Sequence, residues 1–539
     1  MRLEEHFVPP SSKLMADYIN GESGIHRYFS YEPNTEAFSA RYEKLQNHEA
    51  DRAKLSGIIR NFMEPNGISA IAEAHLKDLE NGSPVVITGQ QAGLLTGPLY
   101  TVHKAISVIV LAKQASEQLN KKVVPVFWIA GEDHDLAEIS HLYREVNGKL
   151  DKLNFPHTEY GKKTASTAKL NKIKIHSYLE EYFRSLPETA HSREIQQLAF
   201  GYLDKAESFT DFFAAFLNYF FKEEGLLYID AADLLLRKYE SAYFVKMIEK
   251  SEAVAKSVAD TEKALEKDGY GAAIGAEANA ANLFVTYKGE RILLERDGQN
   301  FTGSNGALSF TAAELMDIAR TSPELLSNNV VTRPLMQEMV FPVLAFVGGP
   351  GEIAYWAALK GAFNVMGMEM PVIMPRLGMT IVNRQVQTLM NKYNLSFSDI
   401  VIDGEVAEAK AELMETIREK EAEKLLDDLG EQLKGEYEKI QHHFSSISAG
   451  LTPLVEKNLQ FHLKQLTFLK HKLQDEVMLQ NNTQFYHYSC LENELRPNGG
   501  FQERTYNPFA YMNDYGIELI HDLQSFDFKY DKNHKIIYL

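Results

Sequence analysis

The sequence predicts an α/β protein: a parallel sheet flanked by helices in a doubly wound, Rossmann-like core, followed by an α-helical coiled-coil domain. Three observations carry this. A β-branched run, Ser83 to Thr88, leads through a glycine-rich turn into a helical stretch and on to a second apolar run, Val123 to Ala130. Further apolar runs of strand length recur at Gly225–Asp230, Phe341–Val347 and Pro371–Arg376. From about 404 to 480 the composition shifts to Glu, Lys, Leu and Gln, with apolar residues spaced alternately three and four apart.

In chain order, residues 1–80 read as helices broken by Pro9, Pro10, Pro33 and Pro65, with an amphipathic segment over Ile68–Leu79. The runs 83–88 and 123–130 are apolar without alternation, as expected of parallel strands covered on both faces. Between them, Gly89, Gly93 and Gly97 precede Pro98 and a helix over 99–118. Strand–loop–helix–strand is the opening unit of a doubly wound fold. Residues 141–200 and 268–320 read as insertions; in the second, 283–294 has the pattern of a β-hairpin turning at Lys288-Gly289.

In the late segment, Leu433, Tyr437, Ile440, Phe444, Ile447 and Leu451 form one apolar series. Val455, Leu459, His462, Leu466, Leu469 and Leu473 form another after Thr452-Pro453, a helix start. The 3.5-residue period predicts a short coiled-coil hairpin. A homodimer through this arm is the expectation; packing of the arm on its own core is the alternative. The division expected is 1–390 for the core, 391–485 for the helical domain and 486–539 returning to the core. In that last stretch 495–506 reads as a polar loop, and a helix lies near 516–523.

Composition narrows the function. At 539 residues the chain supports two to four structural units. Lys+Arg is 56 against 74 Asp+Glu, a formal charge of −18, and an acidic surface argues against nucleic acid as the main partner. The single cysteine, Cys490, excludes an intramolecular disulfide and a cysteine-ligated zinc site, and fits a reducing compartment. No signal peptide or membrane span is evident, so a cytoplasmic protein with no membrane partner is expected.

Candidate chemistry gathers where strands end. The glycine turn after the first strand lets backbone approach a ligand, and the next helix N-terminus suits an anion, with His103 and Lys104 one turn inside. Its spacing matches neither a P-loop nor Gly-x-Gly-x-x-Gly, and the glycines could serve packing alone. The second strand carries Trp128 and ends in Gly131, Glu132, Asp133, His134 and Asp135. Carboxylates beside a histidine could hold an amine, orient a base or ligate a metal, or simply cap a helix. Arg333 stands in a polar run, and Gly348-Gly349-Pro350-Gly351-Glu352 leads to Tyr355 and Trp356, a combination suited to a sugar or amino acid. Arg376 with Thr380 four residues on could clamp a phosphate or carboxylate.

At these residues the chain resembles the bacillithiol biosynthesis cysteine-adding enzymes. The matching strings are ITGQQAGLLTGPLYTVHKA, PVFWIAGEDHD, VTRPLMQE, FVGGPGEIAYW and MPRLGMT, in that order across residues 85–380. The resemblance implies a nucleotidyltransferase-type Rossmann core with connective insertions, related to class I aminoacyl-tRNA synthetases and cysteine ligases. It implies a ligase that joins the carboxyl of L-cysteine to the amine of glucosaminyl-malate. The superfamily's His-x-Gly-His motif falls on Thr101–Lys104 and its Lys-Met-Ser-Lys-Ser-like loop on Arg376–Thr380. Both are degenerate here, which leaves a nucleotide (ATP or ADP) as a possible cosubstrate only.

The expected roles follow. His103, Lys104, Asp133 and His134 are the catalytic candidates. Gly89, Gln90, Gly97, Trp128, Glu132, Asp135, Arg333, Gly349, Glu352, Tyr355, Arg376 and Thr380 are the substrate-binding ones, with Arg333 and Arg376 for the malate carboxylates. Arg384, Cys490, Arg504 and Tyr506 are candidates for a nucleotide near the base of the coil. The readings from other classes are a catalytically degenerate nucleotide-binding scaffold and, third, a metal-dependent hydrolase using Glu132–Asp135 and His141.

Overall fold

A computed structural model describes residues 1–146, 148–303 and 306–539. The chain forms two compact units. The first comprises Met1–Val146, Leu150–Ile381 and Gly500–Leu539; the second is chiefly Val382–Gly499. The divisions between these units fall near 381 and 500. The helix Asn482–Leu495 stays in the second unit, packed on helices Arg384–Tyr393 and Glu405–Ile417.

The first unit is built on five parallel strands: β1 (Val85–Gln90), β2 (Val124–Ile129), β3 (Leu227–Asp230), β4 (Val343–Gly348) and β5 (Val372–Pro375). Their order is β5-β4-β1-β2-β3, and every neighbouring pair is parallel. Val85, Val86, Ile87, Val124, Val126 and Phe127 are fully buried, as uninterrupted apolar runs require when helices cover both faces of a sheet. Each such side chain contributes roughly 1.5–3 kcal/mol by leaving water. The order reverses between β1 and β4, which places a crevice outside the carboxyl ends of those two strands.

Helix α1 (Tyr100–Leu119) follows β1 and packs on β1 and β2. The turn before it is tight. Leu95 and Thr96 hold positive φ, as does Gly97 at +70°, and a Cβ on Gly93 would meet the Gly97 backbone at 2.8 Å. Gly93 and Gly97 therefore serve the turn itself. Further along, the helix Ala70–Glu80 is capped by Ser69 and buries Ala72, Leu76 and Leu79, the amphipathic face read from the sequence. Helix α2 (Leu234–Lys267) starts at Asp233, whose side chain accepts from the N–H groups of Leu235 and Leu236.

Several local expectations are corrected. Arg2–His6 is a strand rather than helix, paired antiparallel with His534–Tyr538 in a three-stranded sheet that also holds Met379–Val382. Arg-Leu-Glu-Glu-His has no periodicity of its own; its partner at the far end of the chain sets its conformation. The 141–200 insertion contains a two-stranded sheet, His141–Val146 with Lys149–Asn154, before its helices. The second insertion is an antiparallel sheet of Ala280–Tyr287, Glu290–Asp297, Asn300–Gly303 and Leu308–Thr311, and Leu326–Asn328 extends it past the expected end. Its first hairpin turns at Lys288 and Gly289, both with positive φ, the twist that a two-residue turn needs. The 495–506 loop includes two short helical turns, and its Gln502 and Glu503 are buried. The Gln502 side chain bonds both the N–H and the C=O of Ile381, each at 2.8 Å.

In the second unit, α3 (Lys420–Ile447) and α4 (Thr452–Gln480) form the coiled-coil hairpin. Gly430 faces Leu463 and Leu466, Tyr437 Oη donates to Asn458, and Lys470 pairs with Asp427 at 2.8 Å. Ile440, Phe444, Ile447 and Leu469 of the expected seam remain 38–68% exposed. A two-helix pair covers each seam residue from one side only. Among the described residues, no helix is long and apolar enough to cross a membrane.

Candidate active site

A cavity of about 910 Å³ opens at the carboxyl ends of the parallel strands, at the β1/β4 reversal. β1 supplies Gly89 and Gln90; β2 supplies Trp128 and, just beyond it, Asp133, His134 and Asp135. The loop after β4 brings Gly349–Glu352 and Tyr355, and Arg376 follows β5. Segments far apart in sequence thus meet in one crevice. Gly89 lies so close to β2 that a Cβ there would stand 3.0 Å from the Trp128 carbonyl oxygen.

Three charged groupings line or underlie this cavity. In the first, Lys104 reaches up from α1 and donates to Gly89 O at 2.8 Å and Gln90 Oε1 at 2.9 Å. Its Nζ lies 2.5 Å from Glu352 Oε2, which also accepts the Gly349 N–H. Burial pushes the Lys104 ammonium below its ordinary range, and Glu352 opposes this. Lys104 therefore ties the β1 turn to the β4 turn.

The second grouping lies around Arg376. Both its Nη groups donate to Glu503, and His103 Nδ1 donates to the same carboxylate at 2.8 Å. Burial alone would raise the Glu503 carboxyl, but Arg376 and His103 hold it well below the usual range. Burial lowers His103, and Glu503 only partly offsets that.

The third grouping centres on Glu132, which is buried and accepts from Arg237, from Arg333 Nε at 3.0 Å and from the Asn328 N–H at 3.1 Å. Burial raises this carboxyl, and Arg237, Arg333 and Arg291 outweigh it, so it stays ionised. Beside it, Arg291 lies 3.7 Å above the Phe284 ring and donates to Asp133 Oδ1 at 3.4 Å and to His134 Nδ1 at 3.2 Å. Burial brings Arg291 down to about 10. Gln91 links Asp133 at 2.9 Å to Glu138 at 2.8 Å. Asp133 is also held low, because Arg333, Gln91 and Arg291 outweigh its burial. Burial first and Arg291 second lower His134.

Four of the expected catalytic and substrate-binding residues do not reach the cavity wall. His103 and Thr380 are buried behind it; Thr380 is bonded to His534 Nε2 at 2.8 Å. Glu132 is sealed beneath its arginines, and Gly97 belongs to the turn. Of the four nucleotide candidates, Arg504 lines the cavity, while the Tyr506 carbonyl accepts the Leu99 N–H at 2.8 Å. Arg384 and Cys490 fall in the second unit, where Arg384 opens a helix and Cys490 is buried.

The wall also includes Gln91, Tyr100, Glu138, Phe284, Arg291, Asn329 and Gln337, which the residue-level reading passed over. Gln91 and Tyr100 stand inside the first matching string and could have been taken from it. Arg291 sits in the antiparallel insertion and carries no local signal. Among the described residues, no group of three or more His, Cys, Asp or Glu side chains is placed to hold a metal ion.

The geometry can now be set beside known proteins. Residues 1–377 match the family described as "Bacillithiol biosynthesis BshC, N-terminal Rossmann-like domain" and residues 379–539 its "C-terminal coiled-coil domain". The chain belongs to the BshC family. Relatives named "Putative cysteine ligase BshC" include one from Lysinibacillus sphaericus, 45% identical over 100% of both chains. Others come from Geobacillus kaustophilus at 38% and Bacillus cereus strain AH187 at 34%, again over 100% of each chain. The Rossmann-like core, the coiled coil and the place in bacillithiol biosynthesis as a cysteine ligase all agree with the family. In BshC terms the cavity described above lies wholly within the Rossmann-like part and the C-terminal return of the chain.

Proposed function

We propose that the chain joins the carboxyl of L-cysteine to the amine of glucosaminyl-malate, completing bacillithiol. The observation that carries this reading is a cavity at the β1/β4 reversal that gathers cations and carboxylates from strand ends. Forming the amide expels one oxygen from the cysteine carboxyl, so that oxygen must first become a better leaving group. The amine must lose a proton before it attacks.

The hydrogen bonds sort the candidates for that proton. His134 Nδ1 accepts from Arg291, so the neutral ring carries its proton on Nε2 and is a donor at the other end. Asp133 is spent on Gln91, Arg291 and the His134 N–H. The Asp135 carboxylate has no hydrogen bond or ion pair among the described residues and lines the cavity. Asp135 is therefore the proposed proton acceptor, with Asp133 and His134 orienting the amine. Lys104 and Arg376 stand where the carboxyl oxygens would gather negative charge.

The test is direct: incubate the pure protein with cysteine and glucosaminyl-malate, with and without ATP, and follow the amide by mass spectrometry. Product supports the reading, and its dependence on ATP identifies the activating cosubstrate. No product under either condition refutes it.

Self-association through the coil belongs to the same proposal. Leu454, Phe461 and Phe468 of α4 are 54–66% exposed, an apolar surface suited to a second copy. Light scattering on the Phe461→Glu, Phe468→Glu protein should give the monomer mass where the unchanged chain gives twice that.

A further inference from the structure

The cations of the cavity differ in one respect that bears on which substrate goes where. Lys104, Arg291, Arg333 and Arg376 each lie against a carboxylate of the protein: Glu352, Asp133, Glu132 and Glu503 respectively. Their charge is largely neutralised before any ligand arrives. Arg504 is different. It is exposed, and its guanidinium has no hydrogen bond or ion pair among the described residues. It lines both the main cavity and an adjoining groove of about 570 Å³. That groove carries a second cation, Lys152, near His141, whose ammonium has no hydrogen bond or ion pair among the described residues. It also carries two carboxylates, both shared with the main cavity: Glu138, engaged by Gln91, and Asp135, whose carboxylate has no partner among the described residues.

We infer that this outer groove is an anion-holding subsite that takes the malate carboxylates of the amine substrate, with Arg504 and Lys152 as their partners. The inference rests on the amine substrate proposed above and moves its carboxylates away from Arg333 and Arg376. Charge order supports the placement. A ligand with one amine and two carboxylates presents one basic group for Asp135 and two anionic groups for Arg504 and Lys152. A cation without a partner gains a full charge-assisted hydrogen bond from an incoming carboxylate, whereas one already bonded to a buried carboxylate must share it. Because Arg504 faces both spaces, a malate in the groove leaves the neighbouring amine at the mouth of the main cavity. The inner, neutralised part is left to cysteine.

Calorimetric titration of the full-length protein tests this without requiring turnover. The probes are glucosaminyl-malate, methyl glucosaminide (which lacks both carboxylates) and ADP. The unchanged protein should bind glucosaminyl-malate at least about ten-fold more tightly than methyl glucosaminide, as charged hydrogen bonds imply. In the Arg504→Ala, Lys152→Ala protein that preference should collapse toward unity, and Arg504→Lys should keep part of it. Both side chains are exposed, so the variants fold. Retention of the preference in the double variant overturns the inference, as does equal binding of the two sugars by the unchanged protein. Loss of ADP binding with glucosaminyl-malate unaffected also overturns it, assigning the cations to a phosphate. Absence of amide product with the preference intact counts against the proposed reaction and leaves the subsite standing.

Discussion

The carboxylate of Glu503 receives both Nη groups of Arg376 on one side and Nδ1 of His103 on the other, at 2.8 Å for the histidine. A residue from the returning end of the chain thus fixes an arginine that lines the cavity. Glu503→Ala would leave that guanidinium buried without its counter-charge, at a cost of about 3–5 kcal/mol. Glu503→Gln keeps shape and one acceptor but removes the charge. Urea unfolding should show a large loss for Ala and a smaller one for Gln. Amide formation should fall in both, and an unchanged turnover in Glu503→Gln would show that Arg376 does not depend on this charge.

Glu503 also marks what could and could not be read from the sequence. The strands at 83–88, 123–130 and 225–230 were legible because a buried parallel strand is an apolar run in any context. The Lys288-Gly289 hairpin was legible because positive φ at both turn positions restricts the residues. The strand ends at 131–135 and 348–352 pointed to the crevice because doubly wound sheets bind ligands there. Glu503 and Arg291 gave no such sign. One lies in a polar stretch that reads as loop and the other in an insertion, and only the long-range fold brings them against Arg376 and Asp133. His103, one turn into the helix, faces Glu503 behind the cavity wall, a placement that its position in the sequence does not show.

Arg291 tests the third charged grouping. Its guanidinium bonds Ser327 Oγ at 3.0 Å, the Asn328 carbonyl, Asp133 and His134 at once, with its carbon 3.7 Å from the centre of the Phe284 ring. A lysine ammonium cannot reproduce that planar fork. Arg291→Lys should lower kcat/KM for amide formation roughly ten-fold or more, the equivalent of one charged hydrogen bond, and should lower the melting temperature as well, because buried acceptors lose their donor. A full-activity lysine variant would show that Asp133 and His134 need only a nearby charge.

Gly131, at the end of β2, should not tolerate a side chain. A Cβ there would stand 2.2 Å from Ser166 Oγ, 2.3 Å from Asp230 Oδ1 and 2.5 Å from Thr210 Oγ1. These three form a buried hydrogen-bonded cluster in which burial raises Asp230 to about 7. Gly131→Ala must push the cluster apart, an overpacking cost of about 1–3 kcal/mol, and it shifts the adjoining 132–135 turn. Calorimetry should show a lower melting temperature, and amide formation should drop with it.

His534 predicts a pH effect with a definite sign. It is buried against Thr380, and desolvation brings its ring down to about 4. In the unfolded chain a histidine titrates near 6.5. Between those values the unfolded state binds the extra proton and the folded state does not, so stability falls as pH drops from about 6.5 to 4. The difference is on the order of 3 kcal/mol across the window. His534→Gln removes the titration and can keep the Thr380 hydrogen bond. Its melting temperature should decline less than that of the unchanged protein between pH 7 and 5, with Glu503 contributing equally to both. Parallel declines would mean that His534 is not buried as a neutral ring.

In the coiled coil, Gly430 and Gly435 sit inside α3, where glycine costs about 1 kcal/mol relative to alanine. Nothing lies within 4 Å of a Cβ built on Gly435, and one on Gly430 would meet Leu466 Cδ1 at 3.7 Å and Leu463 Cδ2 at 3.9 Å, ordinary packing distances. Neither position needs glycine for its own backbone, since both lie in regular helix with φ outside the left-handed region. Gly430→Ala should therefore stabilise the hairpin through both propensity and an added apolar contact, and Gly435→Ala through propensity alone. Far-ultraviolet circular dichroism during thermal unfolding should show the helical signal persisting to higher temperature in both, more so for Gly430→Ala. If Gly430→Ala instead melts earlier, the two helices approach more closely at that point than the 3.7 Å spacing allows.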